Sequence, residues 1–378
     1  MRKRLTIIDN FLITLLTMIM VAVFVVFPLS FSFFSSSASL QERYSLMDLF
    51  SSMQVSLPEN QPYYESETDI IIVDLSEVQP RSDVFQIMKS IMEANPKLVG
   101  FDIWLAESHH TPEDSLFAAL LLEDSRIISP CKMELQEAPG SASFQAISYP
   151  FYANEQAPLT AATNLDLFES DWNCKTFTPI LFHEGNAIET FAVAMARHWE
   201  PTAYNRLMRR PTESHYIHFS RSRYTDISGK LILEAGGPWL QPLLENKLVL
   251  VGDINDTSDF FATPLSAQTA GVEVHANILA TILSSSWPIV MPRFWAWVLA
   301  FLGILILLPL LRWVKKNEWL SIFLPLFQAI LIVLFVFLCY WIFIHFNFYI
   351  NSTYLLLGIG FMEVAEALYL KLYNSVKR

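Results

Sequence analysis

Cysteine is scarce in this chain: three residues, Cys131, Cys174 and Cys339, among 378. No Cys/His spacing resembles a zinc site. Cys339 falls in a long apolar run. An oxidising compartment permits a bond between Cys131 and Cys174, and two separate buried thiols fit the sequence equally well. Basic charge is scarce as well. From Ser35 to Met291 the chain has 15 Lys and Arg against 33 Asp and Glu, a net charge of −18, whereas the remaining residues sum to +6. Such a stretch repels phosphate backbones, which excludes nucleic acid as a general partner and favours divalent cations, amines and basic protein surfaces. Internal repeats and low-complexity segments are lacking. So are a Walker loop, a dinucleotide fingerprint and a nucleophile elbow; "EAGGPW" has neither the strand nor the helix such loops need. No catalytic residue is assigned, and the chain is not expected to be an enzyme.

What the chain has in quantity is apolar sequence, 53% of all residues. "IIDNFLITLLTMIMVAVFVVFPLSFSFF" carries one ionisable residue, Asp9, and is long enough to cross a hydrocarbon core of ~30 Å. The "MRKR" start and "SSSAS" would suit a cleaved signal peptide, but the length of the apolar segment favours a retained anchor. Three further spans are expected near the C-terminus. The resulting division is a cytoplasmic N-terminus (1–10), a first span (11–34), an exported domain (35–290), spans at 294–311, 319–344 and 348–370, and a cytoplasmic tail (371–378). Basic residues lie in "MRKR", "RWVKKNE" and "KLYNSVKR", whereas the loop from His345 to Ile350 has no Lys or Arg, so both termini are placed inside.

The exported domain reads as alternating strands and helices. "DIIIVDLS" is a buried strand, and "SDVFQIMKSIMEANP" a helix with Ser82 as its cap and Asn95-Pro96 as its stop. "KLVGFDIWLA" is a second strand, at close to the ~30-residue spacing of a βαβ unit. "TPEDSLFAALLLED" and "SRIISPCKM" extend the pattern to βαβαβ, which predicts an α/β domain with a mainly parallel sheet. Between Glu134 and Thr178 the signal weakens, with "AISYPFY" and "FTPILF" as strand candidates. "GNAIETFAVAMARHW" is a helix, "HYIHFSR" alternates as a strand, "NKLVLVGDI" is the last buried strand, and "GVEVHANILATIL" is the helix that leads into the next span.

Four blocks in this order, "IIIVDLSE", "VGFDIWLAE", "KLVLVGDINDTSDFFATPL" and "GVEVHANILATIL", together with one span before and three after, resemble the CHASE2 family of bacterial transmembrane sensors. The resemblance implies an extracytoplasmic ligand-sensing domain in the cytoplasmic (inner) membrane, with the ligand undefined, and by analogy a homodimer. Family members commonly continue into a cytoplasmic cyclase or kinase domain. This sequence stops at Arg378, so output is expected from a cytoplasmic or membrane signalling partner in trans. "LSEVQPRSDV" also stands where relatives usually carry a longer loop. A metal-dependent extracytoplasmic enzyme and a structural or assembly protein with a protein-binding ectodomain remain the alternatives.

In open α/β sheets ligands collect beyond the carboxyl ends of the strands. Asp74, Asp102 and Asp253 fall there, with Glu107, Asp256 and Asp259 in the loops. If the first, second and last strands are neighbours, these six form one acidic mouth for a divalent cation or an amine; otherwise they cap helices and satisfy loop N–H groups. No cofactor is identified, and a metal remains unknown. "DINDTSD" is not an EF-hand, because Ser258 and Pro264 stand where Gly and Glu are required. His275 and Asn277, with Thr263, Pro264 and Gly271, are assigned a structural and coupling role, His275 being expected half-buried and bonded to the loop from Asp253 to Thr263. His109 and His110 belong to a solvated loop. Glu363 and Glu366 share one face of the last span and await either a cationic partner or the cytoplasmic interface.

Overall fold

The structure, a computed structural model, describes residues 6–26, 46–55, 69–138, 141–154, 157, 159–165, 174–219, 224–316 and 318–376. The chain divides into two compact units, one of residues 51–287 and one of residues 1–50 with 288–378. Two helices come first, α1 (Ile7–Val26) and α2 (Leu46–Val55). The expected first span ran on to residue 34, and residues 27–34 lie outside the described ones.

In the unit of residues 51–287, β1 (Ile70–Asp74), α3 (Arg81–Glu93), β2 (Leu98–Phe101), α4 (Pro112–Glu123) and β3 (Ile127–Ala138) alternate as the sequence predicts. The weakly patterned middle supplies β4 (Ser141–Ser148), β5 (Thr160–Ala162), β6 (Thr176–Phe177) and the strands β7 (Ile180–His183) and β8 (Asn186–Glu189). Then come α5 (Phe191–Trp199), α6 (Pro201–Leu207), β9 (His215–Tyr216), β10 (Thr225–Ser228), α7 (Gly229–Ala235) and the short α8 (Gln241–Leu244). The last elements are β11 (Leu248–Gly252), β12 (Phe260–Phe261), β13 (Thr269–Ala270) and α9 (Gly271–Ser284).

The main sheet has the order β10-β1-β11-β2-β3-β4, with β5 also on β3. Every pair in it is parallel except β3 with β4. Alternation along the strands fills both faces. Ile71, Val73, Val99, Phe101, Val249 and Val251 pack with Ile87 and Ile91 of α3 and Phe117 of α4. Ile70, Ile72, Leu98, Leu248 and Leu250 pack with Phe191 and Met195 of α5 and Val272 and Leu279 of α9. A sheet covered on both faces explains strands that are apolar throughout instead of alternating with polar residues. One detail differs from expectation: α3 starts after the extended Pro80, and Ser82 lies inside its first turn with its hydroxyl on Asp83. Asn95 ends that helix in the left-handed region, at φ 58°. Cys131 and Cys174 are separate buried thiols.

The other unit adds β14 (Ile289–Val290), α10 (Arg293–Lys316), α11 (Glu318–Ile322), α12 (Leu324–Phe346), β15 (Phe348–Tyr349) and α13 (Thr353–Val376). Among the described residues, three helices are long and apolar enough to cross a membrane: α1, α10 and α12. α13 has comparable length but carries Glu363, Glu366 and Lys371. Ile13, Ala300, Ile304, Leu308, Ile359 and Met362 form the core shared by α1, α10 and α13. One polar network sits at one end of these helices. Arg312 donates through Nε to Glu366 at 2.5 Å and through Nη1 to Asn10. Lys315 lies 3.4 Å from Glu363 and 3.7 Å from Glu366, and Gln328 donates to Glu363 at 3.0 Å. The Tyr369 hydroxyl donates to the buried Asp9. Glu363 and Glu366 thus have cationic partners on α10, one of the two arrangements the sequence left open.

Two stability predictions follow from close contacts in these cores. A Cβ on Gly252 would lie 2.7 Å from the Val272 Cβ, so Gly252→Ala must push α9 off the sheet. It should lower stability by about 1–3 kcal/mol, read as a fall in Tm of the full chain. Arg312→Leu should cost about 1.5–3 kcal/mol of stability in detergent, the worth of a hydrogen bond to a charged group. Arg312→Lys should fail to restore it, because a point charge cannot serve Asn10 and Glu366 as the guanidinium fork does.

Candidate functional site

β1, β11 and β2 end level with one another. Asp74 pairs in register with Gly252, and Val251 with Phe101, so the carboxyl ends of the three strands form one edge. The Leu75 N–H donates to the Gly252 carbonyl and the Asp102 N–H to the Val251 carbonyl, both at 2.8 Å. The sequence-level condition for an acidic edge, adjacency of the first, second and last strands, is met.

The six carboxylates do not act alike. Asp74 is saturated: Oδ1 accepts the N–H of Ser76 at 2.9 Å and of Ile254 at 3.2 Å, and Oδ2 accepts the Ser76 hydroxyl at 2.7 Å. It braces the loop after β1 against the loop after β11. Asp253 accepts the Asn255 N–H at 2.8 Å. Asp256 accepts the N–H and hydroxyl of Ser258, bonds that hold its carboxyl below the usual range. The Glu107 side chain is exposed, while its carbonyl accepts from Arg81. Arg81 also pairs with Asp114 at 2.8 Å, and Asp114 takes the His109 N–H as well. The His109 and His110 loop is therefore organised by a carboxylate. Among the described residues no group of three or more His, Cys, Asp or Glu side chains is arranged to hold a metal ion, so the divalent-cation expectation gains no geometric support.

Asp259 and Asp102 are the two that remain. The antiparallel pair Phe260 with Ala270 sets Asp259 beside Gly271, the first residue of α9. The Asp259 carboxylate lies directly over Gly271, where an added Cβ would collide with it, and the Gly271 backbone N–H works to lower its pKa. Glycine is required there because a carboxylate occupies the space over the helix start. Ala270, the residue before the helix, offers no side-chain cap, and the carboxylate nearest the helix start comes from eleven positions upstream of Ala270. A helix N-terminus favours negative charge. Against that, burial first and then Asp256 push the Asp259 carboxyl up to about 6, with Lys132 and the Gly271 N–H opposing.

Burial raises the Asp102 carboxyl well above its ordinary range, Asp259 adds to this, and Lys132 opposes it. His275 Nε2 lies 3.9 Å from Asp102 Oδ2, beyond hydrogen-bond reach. Burial pulls the imidazole down to about 4, with the Thr163 backbone opposing. At neutral pH the two form no ion pair, because His275 is uncharged. The expectation for His275 is corrected here: it is 3% exposed, not half-buried, and it faces Asp102 and the Phe191 ring instead of bonding to the loop from Asp253 to Thr263. Among the described residues its Nδ1 has no hydrogen-bond partner, and it borders a cavity of about 10 Å³ together with Thr190, Phe177 and Asn164. That is about the space one water needs.

Asn277 donates to the Glu273 carbonyl at 2.8 Å and accepts the Tyr224 hydroxyl at 3.3 Å, and so serves α9 itself. The Thr263 N–H donates to the Ser266 carbonyl and its hydroxyl contacts that of Thr269 at 3.0 Å, closing the turn that contains Pro264. Sequence reading missed Lys132 and Trp104. The Lys132 ammonium lies 4.8 Å from the Trp104 ring centroid and is the cation that acts on Asp102, Asp256 and Asp259. A lone lysine at the far end of a β-branched run gives no motif by which to find it.

A family model for the CHASE2 domain matches residues 18–311. No curated protein and no solved structure matches. CHASE2 domains are extracellular sensory domains, and the three apolar helices are those of a membrane protein. A match over that much of the chain, on a parallel sheet whose last strand leads through α9 towards an apolar helix, places the chain in the CHASE2 domain family.

Proposed function

We propose that this chain is a receptor-like protein of a bacterial inner membrane, whose unit of residues 51–287 faces outward, binds a small cation or amine at the acidic edge, and passes its state to a cytoplasmic or membrane partner. α13 is the fourth span in this reading, its two carboxylates neutralised by Arg312 and Lys315, and both termini lie inside. The observation that carries the proposal is the Asp259 carboxylate set over Gly271, the first residue of α9. That helix has 14 residues, a rise of about 21 Å, and eight residues, 285–292, separate its end from the apolar α10. Whatever neutralises Asp259, or draws it from Gly271, changes the hold on the helix from which the chain runs to the span. Two positions of one helix suffice as the coupling element.

Melting of the full chain in detergent, with magnesium chloride, calcium chloride or putrescine as the probe, tests the edge. A saturable rise in Tm that Asp102→Asn and Asp259→Asn abolish is expected, since binding to the native state stabilises it. No rise with any probe would remove the small-cation reading in favour of a protein ligand.

A pH experiment isolates Asp259 from the other titrating groups. Its folded-state pKa, about 6, lies above the ordinary carboxylate value, so charging it penalises the folded state as pH rises from about 4 through 6. His275 and His218, both pulled down to about 4, titrate with the opposite effect over the same interval. The difference in Tm between Asp259→Asn and the unsubstituted chain is therefore the informative quantity. It should increase in favour of the variant between pH 4 and pH 7; a difference independent of pH would show that Asp259 titrates like an exposed carboxylate.

A further inference from the structure

The basic residues of an acidic domain are unevenly placed. Between Arg197 and Arg223 the sequence holds six arginines and two glutamates, in a region from Ser35 to Met291 with a net charge of −18. Three of the six, Arg206, Arg209 and Arg210, lie on α6 and the turn after it, and all three are exposed. Arg210 shares its charge with the exposed Glu213 at 3.2 Å, and among the described residues no carboxylate pairs with Arg206 or Arg209.

This cluster is fastened to the end of α9 opposite the acidic edge. The Arg206 guanidinium donates to the hydroxyl of Ser285, the left-handed residue that ends α9. The His215 ring, whose Nε2 contacts the Arg210 carbonyl, sits 5.7 Å from the Trp287 ring. Only the five residues 288–292 separate Trp287 from Arg293, where α10 begins. That is a tether of at most about 20 Å even when fully extended. α10 opens with "RFWAW", and Phe294 and Trp295 are 68% and 58% exposed, the aromatic pattern of a membrane–water boundary.

We infer that Arg206, Arg209 and Arg210, with Trp287 beside them, form a surface that docks on anionic phospholipid headgroups of the outward-facing leaflet. Guanidinium groups are suited to phosphate through paired N–H donors, and their aliphatic stems tolerate the apolar boundary. Basic side chains held near an anionic surface gain from its potential, within a distance set by ionic strength. The acidic remainder of the domain is repelled by the same surface, so the arginines also orient it. The inference rests on the reading that α10 crosses the membrane.

The test is hydrogen exchange on the full chain in nanodiscs of phosphatidylcholine alone and of phosphatidylcholine with 30% phosphatidylglycerol, roughly an anionic bacterial surface. Amides of residues 201–216 should exchange several-fold more slowly in the anionic discs. The difference should vanish in the Arg206→Gln, Arg209→Gln, Arg210→Gln triple variant and shrink at 0.5 M salt, roughly the regime where screening shortens to a few ångströms. Unchanged exchange in β1 and β11 of the variant would confirm that it is folded. Equal exchange of residues 201–216 in both discs, or protection that survives the triple substitution, overturns the proposal and leaves the cluster to an acidic protein. Rapid exchange of residues 297–311 in both discs would instead overturn the membrane reading of α10, and the docking surface with it.

Discussion

The sheet depends on one non-local event, the insertion of β11 between β1 and β2. Those two strands form a βαβ unit within the first third of the domain, yet they do not pair with each other; both pair with a strand that arrives about 150 residues later. Until β11 is in place, β1 and β2 lack their shared neighbour, and Ile70, Ile72, Leu98 and their partners on the opposite face have no central row to pack on. A pairing this remote in sequence is slow to close, and it makes the sheet an all-or-none structure. It also decides where chemistry can occur. With β11 in the centre, the loops after β1, β11 and β2 meet at one edge, and the helix that follows β11 packs directly across Gly252.

That arrangement sorts the carboxylates by how fully each is already occupied. Asp74 accepts three hydrogen bonds, and Asp114 an arginine, a serine hydroxyl and the His109 backbone N–H. Such groups are committed to the native state, and moving them would expose several buried donors at once. Asp259 is held by opposing forces. The start of α9 favours its charge while burial, Asp256 and Asp253 oppose it, and the outcome is a carboxyl pushed up to about 6. A group so balanced responds to a modest perturbation, which a saturated one does not.

Much of the architecture was legible in the sequence because it is carried by local patterns. β-branched runs bounded by polar turns marked β1, β2, β3 and β11, and apolar spacing marked α3, α5 and α9. Strand order was not legible: βαβαβ is compatible with several sheets, and only long-range packing picks one. The stretch after Glu134 was obscure because β5 to β9 are two to four residues long, too short for any periodicity to show. At the site, the positions of the acidic residues at strand ends could be read, but their division into occupied and balanced could not. That division is set by hydrogen bonds such as Ile254 N–H to Asp74, made between residues 180 apart. His275 was misjudged for a related reason: its spacing relative to Ile278 and Leu279 fixed the face of α9 but not how deeply that face is covered by Phe191 from α5.

The two ends of α9 also differ in kind. At its start one carboxylate lies over a glycine, with the buried His275 and the partly buried Asp102 nearby and beyond hydrogen-bond reach of each other. At its end Ser285 adopts φ 52°, its hydroxyl takes the Arg206 guanidinium, and the Ser285 and Ser286 N–H groups bond back to the last turn. The middle is an almost continuous row of buried residues from Val272 to Ile282. A helix gripped along its length by close-packed side chains does not deform gradually; it keeps its position or moves as a body. Because its exit is tied by several bonds while its start lies under a titratable carboxylate, the free-energy difference between such positions is most easily altered at Asp259.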